Sequence, residues 1–326
     1  MKAILCKKFG DLSQIVLEDI KEPICGQDQI IIKVHIASVS FMDWLMTDGK
    51  YQLKPELPYV PGTDAAGVVQ EVGKNVSRFK PGDRVACSTW FGAYAEFMVV
   101  PEGACNLIPG NVSDVDAASL IYAYGSAYYG LIERARLTSN ETLLVTGATG
   151  GVGLAALELG KLLKSHVIAV VGSDKKRDTA FEYGADAVIN YQTEDVRHRI
   201  KDETNARGID VCFEMIGGDL FEIMARSMNW NGRLLPIGFA SGEIPCLKMN
   251  LPLVKNYSIV GSVVGAWWER FRPEANKVND EIFLWASKDK IHPKTDRVMP
   301  LKEARKALEL LVDRKVIGRI ALSVAT

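Results

Sequence analysis

The stretch VTGATGGVG, Val145 to Gly153, constrains this chain more than any other. It follows a short apolar run, Thr142 to Thr146, and opens residues 152–164, where apolar residues recur at helical spacing. Strand, small-residue turn and helix in that order form a βα unit. In such a turn the small residues let backbone N–H groups approach a pyrophosphate. The helix N-terminus adds positive partial charge, and the last glycine lets helix and strand pack closely. Ala148, Gly150, Gly151, Val152 and Gly153 are the predicted cofactor contacts, with Ala148 standing where the commonest fingerprint has its first glycine. A tight turn that binds nothing is the alternative reading.

The surrounding pattern favours a bound dinucleotide. Further strand-like runs at residues 166–171, 187–190, 209–214 and 233–237 alternate with helix-like stretches, which predicts a doubly wound parallel sheet with helices on both faces. Residues 1 to about 115 read differently. The runs 29–40, 66–72 and 84–88 are rich in β-branched residues and are separated by turn signals at Pro61-Gly62, Lys80 to Asp83 and Pro109 to Asn111. After about Val264 come two helical stretches, 273–288 and 301–313, and a β-like tail, 318–324. That tail is too short to be a domain and is predicted to return to the β-rich half. The expected organisation is an α/β protein in which a Rossmann-type dinucleotide-binding domain, 124–264, is inserted in a β-rich domain made of 1–123 and 265–326.

Composition narrows the function classes. Lys and Arg number 39 against 40 Asp and Glu, a net charge of -1, so no global positive field draws a nucleic-acid backbone or an anionic membrane. No run approaches the roughly 18 apolar residues of a membrane span, and the opening MKAILCKKFGD is too short and too charged for a signal peptide. A cytoplasmic protein with a small-molecule partner is expected. The six cysteines are scattered, without a C-x-x-C pair or a Cys/His cluster, and are expected to be buried free thiols; the four histidines are dispersed too.

The second βα unit discriminates between cofactors. An NAD site usually places an acid at the end of this strand to accept from the ribose 2'-hydroxyl, whereas a 2'-phosphate calls for cations and no acid. Here Val170-Val171 is followed by Gly172-Ser173-Asp174-Lys175-Lys176-Arg177. The run favours NADPH, with Ser173 and Lys176 contacting the phosphate, and Asp174 is the opposing feature.

These residues and the domain order resemble the medium-chain dehydrogenase/reductase superfamily, and within it the zinc-independent quinone oxidoreductase group. The resemblance rests on Pro61 to Val69 (PGTDAAGVV), Phe79 to Val85 (FKPGDRV), the turn ATGGVG at Ala148 to Gly153, Asn190-Tyr191 and the ending Gly318 to Leu322 (GRIAL). It implies a chaperonin-10-like (GroES-like) catalytic domain, an inserted Rossmann domain, a cleft between them and usually a homodimer. It also implies that Ser126 offers a hydroxyl to the cofactor, that Tyr191 packs near the adenosine phosphate, and that Gly217, Gly238, Phe239, Val263 and Val264 lie along the cofactor.

Zinc chemistry tests the resemblance. The alcohol dehydrogenases of the superfamily hold catalytic zinc through a Cys and a His followed by Glu; at the matching positions this chain has Ser40 and Thr63-Asp64. Neither Ser nor Thr is an adequate zinc ligand, so no metal site is expected and alcohol oxidation is disfavoured. Hydride delivery from NADPH to a quinone or another α,β-unsaturated carbonyl is the expected reaction. Ser40 stands where relatives have the Asn of Asn-Pro and is one candidate catalytic residue, a hydroxyl satisfied at a strand end being its alternative reading. Tyr51 is the other, because enoyl thioester reductases of the same superfamily carry a tyrosine in a matching G-x-Y stretch, and a phenol can donate to a developing oxyanion; packing against a flat substrate or the nicotinamide is its alternative role. An enoyl thioester reductase is therefore the alternative activity, and a non-catalytic NADPH-binding interaction protein the alternative of another class. Asp43 is expected to be a structural carboxylate, and Trp267 and Trp268 to be core or dimer contacts, with stacking on a flat substrate as the alternative reading.

Overall fold

The computed structural model describes residues 1–324. The chain divides into two compact units, one of Met1–Tyr122 together with the residues from Gly265 onward, the other Ala123–Val264. In the first unit the chain forms β1 (Lys2–Cys6), β2 (Ile15–Asp19), β3 (Gln29–Val39), β4 (Asp64–Val72), β5 (Arg84–Ser88), β6 (Phe97–Pro101) and β7 (Cys105–Leu107). The second unit carries β8 (Thr142–Thr146), β9 (His166–Val171), β10 (Ala187–Asn190), β11 (Ile209–Glu214), β12 (Met228–Pro236) and β13 (Ser258–Ile259). Back in the first unit, the chain adds β14 (Thr295–Pro300) and β15 (Arg319–Ser323).

The second unit is a six-stranded sheet in the order β10-β9-β8-β11-β12-β13, every pair parallel. Its central strands β8 and β9 are apolar without alternation because both faces are covered: every residue of β8 is buried, as is β9 after His166. The strand order reverses between β8 and β11, so the turns leaving those two strands lie side by side at their C-terminal ends, where open α/β sheets bind ligands. Sequence periodicity places β12 at 233–237. The strand begins earlier, at Met228, because the half-polar lead Asn229-Trp230-Asn231 extends without an apolar signature. Val264 and Gly265 open a short helix, Val264–Arg270.

The first unit is built on a seven-stranded sheet of order β14-β15-β3-β4-β5-β7, with β6 also on β3, and a separate β1-β2 hairpin. All pairs are antiparallel except β14 with β15. Ile30, Ile32, Val34, Val69, Val85, Val100, Ile320 and Leu322 fill one core, against which the helix Ala304–Val312 lays Ala307 and Leu308. The register sets Ser38 between Ala321 of β15 and Asp64 of β4. All six cysteines are free; Cys6, Cys87, Cys105 and Cys212 are buried as expected, but Cys246 is exposed. Among the described residues no helix is long and apolar enough to cross a membrane.

Candidate active site

Three loops of the second unit meet around the end of β8. The first is the glycine turn. Gly147 takes φ +60°, and Gly150 caps the helix Gly151–Leu162 with no side chain satisfying its first amides. The N–H groups of Gly151, Val152 and Gly153 thus remain as donors at the positive end of a twelve-residue helix. A Cβ on Gly150 would find only the Gly147 carbonyl, 3.6 Å away, so the space over this residue is open. Gly153 is the opposite case: a Cβ there would lie 2.5 Å from the Gly147 oxygen and 2.7 Å from that of Ala148, and only glycine lets the helix sit so close. Ala148 itself is fully buried.

Glu214, which ends β11, organises the second loop and carries no motif in the sequence that marks it. Its buried carboxylate accepts hydrogen bonds from Thr146 Oγ1 (3.0 Å) and from the amides of Ile216 (2.9 Å) and Gly217 (3.0 Å). Burial pushes the carboxyl up from its ordinary pKa, and these donors pull it back. The Gly217 amide is therefore committed to Glu214 rather than open to a ligand. Gly217 itself sits at φ +73°, with a Cβ position 2.6 Å from the Glu243 oxygen. Glu214 also accepts from Ile237 through its backbone carbonyl (2.7 Å), which draws Gly238 and Phe239 beside this loop. The one available signal is an acid closing a buried strand just before a Gly-Gly pair.

The third loop follows β9, whose Val170 carbonyl accepts from the Ala148 amide at 3.4 Å. Ser173 is half-buried and its hydroxyl makes no hydrogen bond with the described residues. Asp174, the feature that opposes NADPH, is occupied: its carboxylate takes Arg177 Nε at 2.8 Å and Asn190 Nδ2 at 3.0 Å, which hold it below the usual carboxylate range. Arg177 is tied in turn to Glu194 and to the Val188 carbonyl. The Tyr191 ring packs so closely on Gly172 that a Cβ there would lie 2.7 Å from its hydroxyl. Lys176 is half-buried in the same loop. Ser126 is buried in the helix Asp114–Tyr128; Val263 is exposed and Val264 buried.

The first unit holds the catalytic candidates. Ser40, in sequence a hydroxyl at a strand end, stands one residue past β3 and caps the helix Phe41–Thr47. Its Oγ accepts from the Asp43 amide (3.2 Å) while its own amide donates to Asp43 Oδ2 (2.7 Å), a reciprocal capping box. Asp43 Oδ2 also accepts from the Tyr94 hydroxyl at 3.0 Å, and Oδ1 has no partner. Asp43 is 1% exposed, and burial, with the charge of Asp64 nearby, pushes its pKa up to about 6. Asp64 and Arg319 form an ion pair at 2.8 Å that is closed to solvent, and Arg319 donates to Ser38 Oγ as well (2.9 Å). The Arg319 guanidinium lies 5.4 Å from the Tyr122 ring centroid.

Tyr51 is half-buried, with its ring 6.2 Å from that of Trp90. Its phenol makes no hydrogen bond with the described residues, and burial raises its pKa, so it keeps its proton at neutral pH. Trp268, expected in the core or an interface, is 8% exposed and packs edge-on against Tyr122, with its indole N–H unpartnered. Among the described residues no group of three or more His, Cys, Asp or Glu is arranged to hold a metal ion.

Comparisons with known proteins agree with this architecture. Residues 26–110 match the family model of the alcohol dehydrogenase GroES-like domain, and residues 151–280 that of the zinc-binding dehydrogenase. The chain is 36% identical to a quinone oxidoreductase-like protein 2 homolog of Nematostella vectensis, over 99% of this chain and 88% of that one. It is 35% identical to the quinone oxidoreductase-like protein 2 of Mus musculus, over 99% and 92%. Among solved structures, Escherichia coli quinone oxidoreductase complexed with NADPH superposes with a TM-score of 0.93 at 26% identity, covering 99% of this chain and 100% of that one. A GroES-like β-rich part combined with a Rossmann sheet defines an oxidoreductase of the medium-chain dehydrogenase/reductase superfamily. Within it, the chain belongs to the quinone oxidoreductase group.

Proposed function

We propose that this protein is a zinc-independent, NADPH-dependent reductase that passes hydride to a quinone or another carbonyl-conjugated alkene. The observation that carries the reading is the turn after β8: an uncapped helix start, open space over Gly150 and a tight contact at Gly153, the shape needed for backbone amides to take a pyrophosphate. Similarity to a quinone oxidoreductase complexed with NADPH supports the cofactor.

NADPH, when bound, supplies the hydride. The residues of the chain do the rest. Gly151, Val152 and Gly153 offer amides to the pyrophosphate. Ser173 offers a free hydroxyl to the 2'-phosphate, with Lys176 in the same loop, and Arg177 with Asn190 neutralises the Asp174 carboxylate that would repel it. Ser126, Tyr191, Gly238, Phe239, Val263 and Val264 complete the cofactor contacts in this reading, and Gly217 takes part through its Cα and carbonyl.

Zinc independence is supported by the donor set at the superfamily's metal positions. Ser40 spends its hydroxyl on a helix cap, Thr63 is a hydroxyl, and Asp64 is neutralised by Arg319. Without a Lewis acid the acceptor must carry its own electron sink, as quinones and enones do. Tyr51 presents a protonated, unpartnered phenol suited to protonating the reduced acceptor, and this observation also favours the second reading, an enoyl thioester reductase.

The test is NADPH oxidation across quinones, enones and enoyl thioesters, with Tyr51→Phe run in parallel. Quinone turnover with less than about a threefold loss in Tyr51→Phe fits the first reading. A loss of about a hundredfold confined to enoyl thioesters fits the second. NADPH binding without oxidation by any acceptor would leave a cofactor-binding protein and sink both.

A further inference from the structure

Trp90 lies in the turn that follows β5, and three contacts fix its indole within the first unit. Its Nε1–H donates to the Glu269 carboxylate. Its six-membered ring lies against Gly265 so closely that a Cβ there would be 2.4 Å from Cη2 and 3.0 Å from Cζ2. Tyr51 approaches it at 6.2 Å between ring centroids, inclined by 46°. Gly265 and Glu269 are one helical turn apart on the same short helix, Val264–Arg270, so a single element holds the indole by its ring and by its nitrogen. Trp90 remains half-buried, and next to it Phe91 is 42% exposed. Trp90 is thus held at three contacts yet remains partly exposed, beside a phenol with no hydrogen-bond partner among the described residues.

A quinone ring is electron-poor and flat, and an indole face is electron-rich. Offset stacking between such rings adds attraction beyond the area buried, and a second fused ring extends the overlap. An enoyl thioester is an acyclic chain at its reacting end and presents no ring. We propose that Trp90, locked by Glu269 and Gly265, is the residue that selects the acceptor, favouring fused-ring quinones over single-ring quinones and over acyclic enoyl thioesters. The proposal rests on the quinone-reductase reading. Trp90 acts by contact with the acceptor; Gly265 and Glu269 are positioning residues that act through it.

The experiment compares 9,10-phenanthrenequinone with 1,4-benzoquinone as acceptors for NADPH, reporting kcat and KM separately. The wild type is run with Trp90→Leu, Gly265→Ala and Glu269→Gln. Trp90→Leu keeps apolar bulk but removes the ring and is expected to lower the phenanthrenequinone-to-benzoquinone ratio of kcat/KM roughly tenfold, through KM. Gly265→Ala keeps Trp90 but displaces it, and lowers the ratio in the same direction. Glu269→Gln keeps an acceptor oxygen for the indole N–H and preserves the ratio. A ratio within about twofold of wild type in both Trp90→Leu and Gly265→Ala overturns the proposal. Calorimetric titration of phenanthrenequinone into NADP+-loaded protein separates the two layers of inference. Binding that depends on Trp90 without turnover of any acceptor retains the site and removes the hydride reading. Turnover with selectivity indifferent to Trp90 does the reverse.

Discussion

Replacing Asp43 with asparagine should flatten the pH dependence of stability, and the amount follows from the burial of a single carboxylate. Asp43 is enclosed with one oxygen unpartnered, and its pKa in the folded protein is pushed from 3.8 to about 6. Between those values the native state holds a proton that the unfolded chain has released. The stabilisation is therefore complete below about pH 4 and is lost as pH rises through about 6. Across the whole window this amounts to about 3 kcal/mol, at about 1.4 kcal/mol for each tenfold in proton affinity; about 1.4 kcal/mol of it falls between about pH 5 and pH 8. The substituted amide keeps an oxygen for the Ser40 amide and the Tyr94 hydroxyl but cannot titrate. Any fixed cost of burying that amide is the same at every pH. Urea unfolding of both proteins at intervals from about pH 5 to pH 8, followed by circular dichroism, gives the quantity needed, the wild-type stability minus that of Asp43→Asn. That difference should fall by about 1.4 kcal/mol from the lowest pH to the highest. Parallel pH profiles for the two proteins would refute the claim that Asp43 titrates in the folded state near pH 6.

Three further outcomes follow from contacts described above. Arg319→Leu strands the Asp64 carboxylate in the core and should cost about 3–5 kcal/mol in urea unfolding, with most of the loss recovered when Asp64→Asn is added. Arg177→Ala releases Asp174 toward the proposed 2'-phosphate site; the KM for NADPH should rise about tenfold while that for NADH stays within about twofold, and an equal change in both would contradict the proposal. Gly150→Ala adds a methyl to open space, so the urea midpoint should hold while NADPH binding, measured by fluorescence, weakens about tenfold. Gly153→Ala, facing backbone at 2.5 Å, should lower that midpoint too.

Much of the second unit is legible in the sequence because its signals are local. β8, β9, β10 and β11 are short, mostly apolar runs, and each stands where the sequence places it. The glycine turn is legible for the same reason. What escapes depends on partners distant in the chain or on short polar signals. The helix Phe41–Thr47 is hidden although Ser40 and Asp43 spell a capping box, because the preceding β-branched run draws the reading toward a strand end. Glu214 looks like the end of a strand; its importance comes from Thr146, which neighbours it only after β8 and β11 pair. The pairing of Asp64 with Arg319 is set by the antiparallel register of β15, β3 and β4 and has no signature in either segment.

β15 enters the sheet between β14 and β3 rather than at an edge, and it brings Arg319 to Asp64 across 255 positions of sequence. During synthesis, therefore, β3 lacks one neighbour and Asp64 lacks its countercharge until β15 has been made. At translation rates of about 5–20 residues per second, that interval lasts roughly 10 to 50 s. The continuous 123–264 unit has no such dependence and can close while the first unit still waits. Of the two units, the one whose translation starts earlier cannot be completed until the other has been made.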